Sequence, residues 1–191
     1  MHSKSYRFLT PLIMVLTWAN MEAQTSHPVP RLVVNVTIDQ LRTDYMEAFS
    51  SLFGAGGFNK VMRDGRSYMD AAYPFSHIDR ASAVACIMTG TVPYDNGIVG
   101  EHWMDRKTLR PMYCVDDATC EGWLTSEKYS PVALNVSTVT DELKMATGGR
   151  ALVYSIAPDA DAAILAAGHA ADGAFWIDNA SGPWSSTSYY G

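Results

Sequence analysis

The sequence predicts an α/β fold, a doubly wound and mainly parallel sheet with helices on both faces. Short apolar runs rich in β-branched residues, above all 31–38, alternate with helix-length stretches. The 31–38 run is predominantly apolar, as expected of a strand covered on both faces by helices. Glycine and proline clusters at 54–57, 93–97 and 148–149 fall where strand and helix ends belong.

Residues 31–38, with Val33, Val34, Val36 and Ile38, form the first expected strand, and it delivers Asp39 at its C-terminal tip, where open α/β sheets hold ligands. A helix is expected over 45–52, broken by Gly54, Gly56 and Gly57, and a second over 58–63, stopped by Gly65. Residues 67–73 read as extended up to Pro74. The small apolar stretch 81–88 reads as a helix packed closely on a sheet, with Pro93, Asn96 and Gly97 turning the chain after it. A helix over 139–146 starts at Ser137 or Thr138, has Thr138 and Asp141 in capping-box register, and stops at Gly148-Gly149. Residues 151–156 form a third buried strand, 160–167 a short helix, 174–177 a strand, and 185–190 an extended segment. The chain then reaches Gly191 without a closing helix, so the reading is of an N-terminal portion, apparently truncated at the C-terminus, with domain boundaries at 24–191.

Residues 1–23 read as a secretory signal peptide. Lys4 and Arg7 precede an apolar stretch of about ten residues, and Ala23 offers a small residue before a cut. That stretch is too short to cross a hydrocarbon core, which takes about twenty residues, so no transmembrane segment is expected and the protein reads as exported, to the periplasm or cell envelope of a bacterium. Removing the segment takes away two cations and one anion and moves the formal charge from −6 to −7. An acidic chain with scattered charges has no footprint for nucleic acid.

Cys114 and Cys120 flank a polar hairpin-like segment and could close a small disulfide loop in an oxidising compartment, while Cys86 sits in an apolar helical run as a small hydrophobe. His77, His102 and His169 are too dispersed for a local metal motif, and His169 reads as a turn-holding hydrogen-bonder. The triplets at Asn35, Asn135 and Asn179 match a glycosylation pattern that also arises by chance.

Several motifs occur in a fixed order: Asp39-Gln40-Leu41-Arg42 with Asp44 and Tyr45, then Gly56-Gly57-Phe58, Thr89-Gly90-Thr91-Val92-Pro93, Gly97-Ile98-Val99-Gly100 and Trp103. Gly168-His169-Ala170-Ala171-Asp172-Gly173-Ala174-Phe175-Trp176 and Ser186-Thr187-Ser188-Tyr189-Tyr190 follow. From about Arg31 onward the chain resembles the alkaline phosphatase superfamily, in particular its branch of bacterial exported phosphatases related to nucleotide pyrophosphatase/phosphodiesterases. The resemblance implies hydrolysis of phosphate esters with two zinc ions and a threonine nucleophile. Asp39 takes the place of a zinc-binding aspartate, and most other ligands are expected beyond the end of this chain.

Such a site needs a hydroxyl nucleophile and donors that neutralise the transferring phosphoryl group. By the spacing the resemblance implies, the nucleophile position holds Arg80, which stays protonated and cannot attack phosphorus. The position of a phosphoryl-binding asparagine holds Glu101, and those of a Lys and Arg clamp hold Asp159 and Asp161. Ser82 and Ser76 are the fallback nucleophiles, although two residues along a helix turn Ser82 about 200° from position 80. Arg80 is expected to pair with Glu101 or another acid, giving an ion-paired pocket. Two functions follow: a metal-dependent phosphoester hydrolase with altered or lost activity, acting on a phosphate ester or other small anionic ligand, or a non-catalytic ligand-binding or assembly module of the cell envelope.

Overall fold

The computed structural model describes residues 31–191, so the expected signal segment lies outside the described residues. The chain divides into two units, Met1–Val36 and Thr37–Gly191. In the first, residues 31–36 carry no helix or strand, and Leu32, Val33, Val34 and Val36 are exposed. The expected strand over 31–38 is therefore corrected. Its β-branched residues favour extended backbone, but a buried strand also needs a hydrogen-bonded neighbour, and none of these residues joins a ladder among the described residues.

The second unit opens with α1 (Thr43–Ala48), a 3₁₀ turn at Ser50–Leu52, and α2 (Gly57–Asp64). The expected helix over 45–52 is thus split, and the second helix ends as read, with Gly65 N donating to Val61 O. Residues 67–73 form no strand, a second correction: Tyr68 and Met69 are exposed and polar neighbours interrupt the run.

The better-packed part begins at α3 (Arg80–Thr89). Asp79 caps it, with Ser82 N donating to the Asp79 carboxylate and Asp79 N donating to Ser82 Oγ. Gly90 closes it in the left-handed region at φ 68°. The short α4 (Pro93–Asn96) follows, with proline in its first turn. A hairpin of β1 (His102–Met104) and β2 (Pro111–Tyr113) comes next, then β3 (Gly122–Trp123), α5 (Val139–Ala146), β4 (Tyr154–Ile156), α6 (Ala160–Ala167), β5 (Gly173–Ile177), β6 (Trp184–Thr187) and a 3₁₀ turn at Ser188–Tyr190.

The four-stranded sheet runs β3-β6-β5-β4. β4 and β5 are parallel, joined through α6 as a strand-helix-strand crossover, while β6 is antiparallel to both β5 and β3. Within the described residues the sheet is thus mixed. The reversal between β5 and β6 is made by Asp178, which accepts from Ala180 N and the Ser181 hydroxyl.

The core lies between α3, α6 and the sheet. Ala81, Val84, Ala85 and Met88 bury one face of α3, and Ala160, Ala163, Ile164 and Ala167 repeat the same three-and-four spacing on α6. Alanines on both surfaces let the helices approach closely, and Trp176 of β5 is buried in the same cluster. α5 is capped as read, by Thr138 and Asp141. His169 also holds a turn as read, placing Nδ1 3.2 Å from Asp141 Oδ2 and Nε2 3.0 Å from Leu134 O. Gly168 stands between them at φ 76°, and a Cβ there would overlap Thr138 Oγ1 and the Asp141 carboxylate.

All three cysteines are free. Cys114 is buried in the core and Cys120 Sγ donates to Asp117 Oδ2, so the structure shows no Cys114–Cys120 bridge. No helix among the described residues is long and apolar enough to cross a membrane.

Candidate functional site

Two helix N-termini face one another beside the core. Arg80 is the first residue of α3, Asp159 precedes the first turn of α6, and Asp161 lies within that turn. A helix N-terminus attracts negative charge. The carboxylates on α6 are therefore well placed, whereas a guanidinium at the start of α3 stands at the unfavourable pole and needs acids around it.

They are present. Arg80 Nε lies 3.2 and 3.0 Å from the two carboxylate oxygens of Asp161, and its Nη2 lies 2.9 Å from Asp161 Oδ1. Nη1 is 3.0 Å from Asp159 Oδ2, and Nη2 is 3.6 Å from Glu101 Oε2. Asp161 is fully buried while the Arg80 side chain is 25% exposed, so the forked Asp161 contact dominates and Glu101 is peripheral. Burial works against the Arg80 charge, but its hydrogen bonds and Coulombic attraction to Asp161, followed by Asp159 and Glu101, outweigh it and push the guanidinium above its usual value. The four positions singled out in the sequence thus meet in one cluster.

Asp79 braces this cluster from beneath. Its Oδ1 accepts from Ser82 N at 2.9 Å and from Ser82 Oγ at 2.8 Å, and its Oδ2 accepts from Glu101 N at 2.6 Å. Burial raises the Asp79 carboxyl, but the amides of Ser82 and Glu101 and the Ser82 hydroxyl reverse that and hold it below the usual carboxylate range. Gly100 must stay small, since a Cβ there would sit 2.9 Å from Asp79 Oδ2.

Ser82 is fully buried and committed to this cap, so its hydroxyl does not face the cluster's open side. Ser76 lies exposed in the loop before α3. Asp39 is exposed in a turn. Among the described residues no three His, Cys, Asp or Glu side chains assemble into a metal-holding group. Asp39 alone supplies one donor where a zinc ion takes four ligands, so the described residues do not by themselves fit the ion.

A cavity of about 90 Å³ adjoins the cluster, its wall including Arg80, Glu101, Tyr113, Glu127, Asp159 and Trp176. Tyr113 Oη accepts from Asp161 N at 3.3 Å. Burial, and then the Asp161 charge, push its phenol up. Burial and the Glu127 carboxylate do the same to Tyr129, whose ring packs against both Tyr113 and Trp176. Sequence reasoning missed Tyr113, Glu127 and Trp176. They come from a hairpin, a loop and the middle of a strand, and no local motif joins them.

The profile describing type I phosphodiesterase / nucleotide pyrophosphatase matches residues 33–190. Alkaline phosphatase PhoV of Synechococcus elongatus is 40% identical over 84% of this chain and 30% of its own. Alkaline phosphatase PafA of Elizabethkingia meningoseptica is 32% identical over 96% of this chain and 34% of its own. The 1.7 Å crystal structure of wild-type PafA superposes with a TM-score of 0.80 at 34% identity, over 85% of this chain and 32% of that one. A PafA mutant with one threonine changed to serine, and an asparagine, a lysine and an arginine changed to alanine, gives 0.74 at 33% identity, with the same coverage. The chain therefore spans about a third of the length of the relatives it matches.

Proposed function

Because the chain belongs to the type I phosphodiesterase/nucleotide pyrophosphatase family, a family of phosphoester hydrolases within the alkaline phosphatase superfamily, we propose that its phosphoryl pocket has been replaced by an internal ion-paired cluster, so that phosphoester hydrolysis is altered or lost. The observation that carries the reading is the forked Arg80–Asp161 contact, with Asp159 and Glu101 beside it. Paired helix N-termini suit a phosphate, and here the protein's own carboxylates fill that role. A transferring phosphoryl group would meet three acids, and Arg80, the cation beside them, is already engaged.

Spacing supports the correspondence. In the PafA mutant the replaced threonine and asparagine lie twenty-one positions apart and the lysine and arginine two apart. Arg80 and Glu101, and Asp159 and Asp161, keep those separations. Arginine at the position of an attacking alcohol offers no lone pair for phosphorus.

On this reading the protein is exported to the periplasm or cell envelope, and Asp39 would contribute to a zinc site with ligands outside the described residues. Its remaining role is binding of a small ligand. The test is turnover of p-nitrophenyl phosphate and bis-p-nitrophenyl phosphate by the full-length, zinc-supplemented protein. The expected rate is that of protein-free buffer. Saturable turnover that survives Arg80→Ala would show that hydrolysis proceeds without this cluster and would overturn the proposal.

A further inference from the structure

We propose that the tip of the β1–β2 hairpin docks on an anionic phospholipid surface, with Arg106, Lys107 and Arg110 meeting the headgroups and Leu109 entering the acyl boundary. The tip is the closed end of the hairpin, and Glu101 and Tyr113 lie at its open end, so docking is independent of what the Arg80 cluster does to phosphoesters.

Charge is the first observation. Residues 105–110 hold three cations and one carboxylate, in a chain whose formal charge is −6. All three cations are exposed and none forms a salt bridge among the described residues, whereas Arg42, Arg63, Arg80, Lys128 and Lys144 all do. The acid of the turn does not take them up. The Asp105 carboxylate accepts from the amides of Lys107 and Thr108 at 3.1 and 3.3 Å and from the Thr108 hydroxyl at 2.6 Å, and Lys107 acts on it only at longer range. The cations are left for an outside anion, and the acidic remainder of the chain, repelled by the same surface, turns the tip toward it.

The second observation is independent of charge. Leu109 closes the turn, its N–H donating to Asp105 O at 2.8 Å, and its φ of 54° lies in the left-handed region. Glycine or asparagine is preferred in that backbone, and a bulky side chain there is an outlier. Leu109 is also 75% exposed, so packing does not account for it. An exposed leucine is ordinary by itself. One held out against its backbone preference, beside three unpaired cations, marks a place where function outweighs local structure. Met104 and its cross-strand partner Pro111, both exposed, continue the apolar surface on the adjoining rung. A nucleic acid would use the cations and leave the leucine in water, whereas a bilayer takes both. Three cations and one leucine make a reversible, salt-sensitive contact rather than an anchor.

The experiment is flotation of the full-length protein with vesicles of phosphatidylcholine alone and of phosphatidylcholine mixed with phosphatidylglycerol, at low and high salt, with heparin as a polyanion that has no apolar interior. The parent should float with the mixed vesicles at low salt, stay behind with phosphatidylcholine alone, and be released by salt. Arg106→Gln with Lys107→Gln should weaken vesicle binding about 25-fold, at about fivefold per charge. Leu109→Asn suits the left-handed backbone, so its urea midpoint should match or exceed the parent's. Its affinity for the mixed vesicles should nevertheless fall about fivefold, for a side chain that leaves water only in part, while its affinity for heparin stays that of the parent. No flotation with the mixed vesicles, or flotation that the double variant does not weaken, overturns the proposal. Vesicle affinity unchanged in Leu109→Asn shows a site for polyanions in general and overturns it as well.

Discussion

Replacing Arg80 by methionine removes the cation from a carboxylate cluster without leaving a large void. Asp161 would then be fully buried with its forked donor gone, and Asp159 and Glu101 would lose the charge that separates them. Breaking a buried pair by removing one member costs about 3–5 kcal/mol, most of it the penalty of the stranded charge. For a domain of this size each kcal/mol moves the melting temperature by about 2–4 °C, so a fall of roughly 10 °C is expected. The partner experiment is Arg80→Met with Asp161→Leu, which removes both charges and should return stability to within about 1 kcal/mol of the parent. Glu101→Gln should cost less than about 1 kcal/mol, because its contact is longer and more open to water. Urea titration followed by tryptophan fluorescence reads the parent, Arg80→Met, Asp161→Leu, their double variant and Glu101→Gln, with Trp103, Trp123, Trp176 and Trp184 as reporters. Arg80→Met within about 1 kcal/mol of the parent, or a double variant that loses the sum of the two single losses, would refute the reasoning.

Thr138→Ala removes the α5 cap and should lower stability by about 1 kcal/mol in the same titration. Gly168→Ala should cost more than that, because the backbone is left-handed there and the added methyl meets the Thr138 hydroxyl and the Asp141 carboxylate. Asp117 is held by the hydroxyls of Ser130 and Thr119 and then the Thr119 amide, which bring its carboxyl down to about 2. Its pKa is lower folded than unfolded, where aspartate titrates near ~3.9. Its contribution is therefore present above about pH 4 and lost as pH falls toward about 2. Melting curves from pH 5 down to pH 2 should fall less steeply for Asp117→Asn than for the parent.

The helices were legible in the sequence where caps and spacing agreed. Thr138 with Asp141, and the alanine-rich face from Ala160 to Ala167, fixed α5 and α6 at the expected bounds. Strands were harder, since 31–38 and 67–73 have the composition of strands without a ladder to join. The β1–β2 hairpin escaped notice because its turn is built by Asp105 accepting from the Lys107 and Thr108 amides, chemistry that a single aspartate does not advertise. The cluster itself was readable in part. Motif spacing brought Arg80, Glu101, Asp159 and Asp161 under one heading, but that Asp161 rather than Glu101 carries the guanidinium follows from burial at the start of α6. Trp176 lay in a run that read only as strand, and its unmatched nitrogen is a property of packing.

One carboxylate, that of Asp79, serves two segments at once, its first oxygen tied to the opening turn of a helix and its second to the Glu101 amide. Opposite walls of the recess are thereby pinned to a common anchor and cannot drift apart independently. An exchange at position 80 alone would therefore change the occupant and leave the mounting as it is.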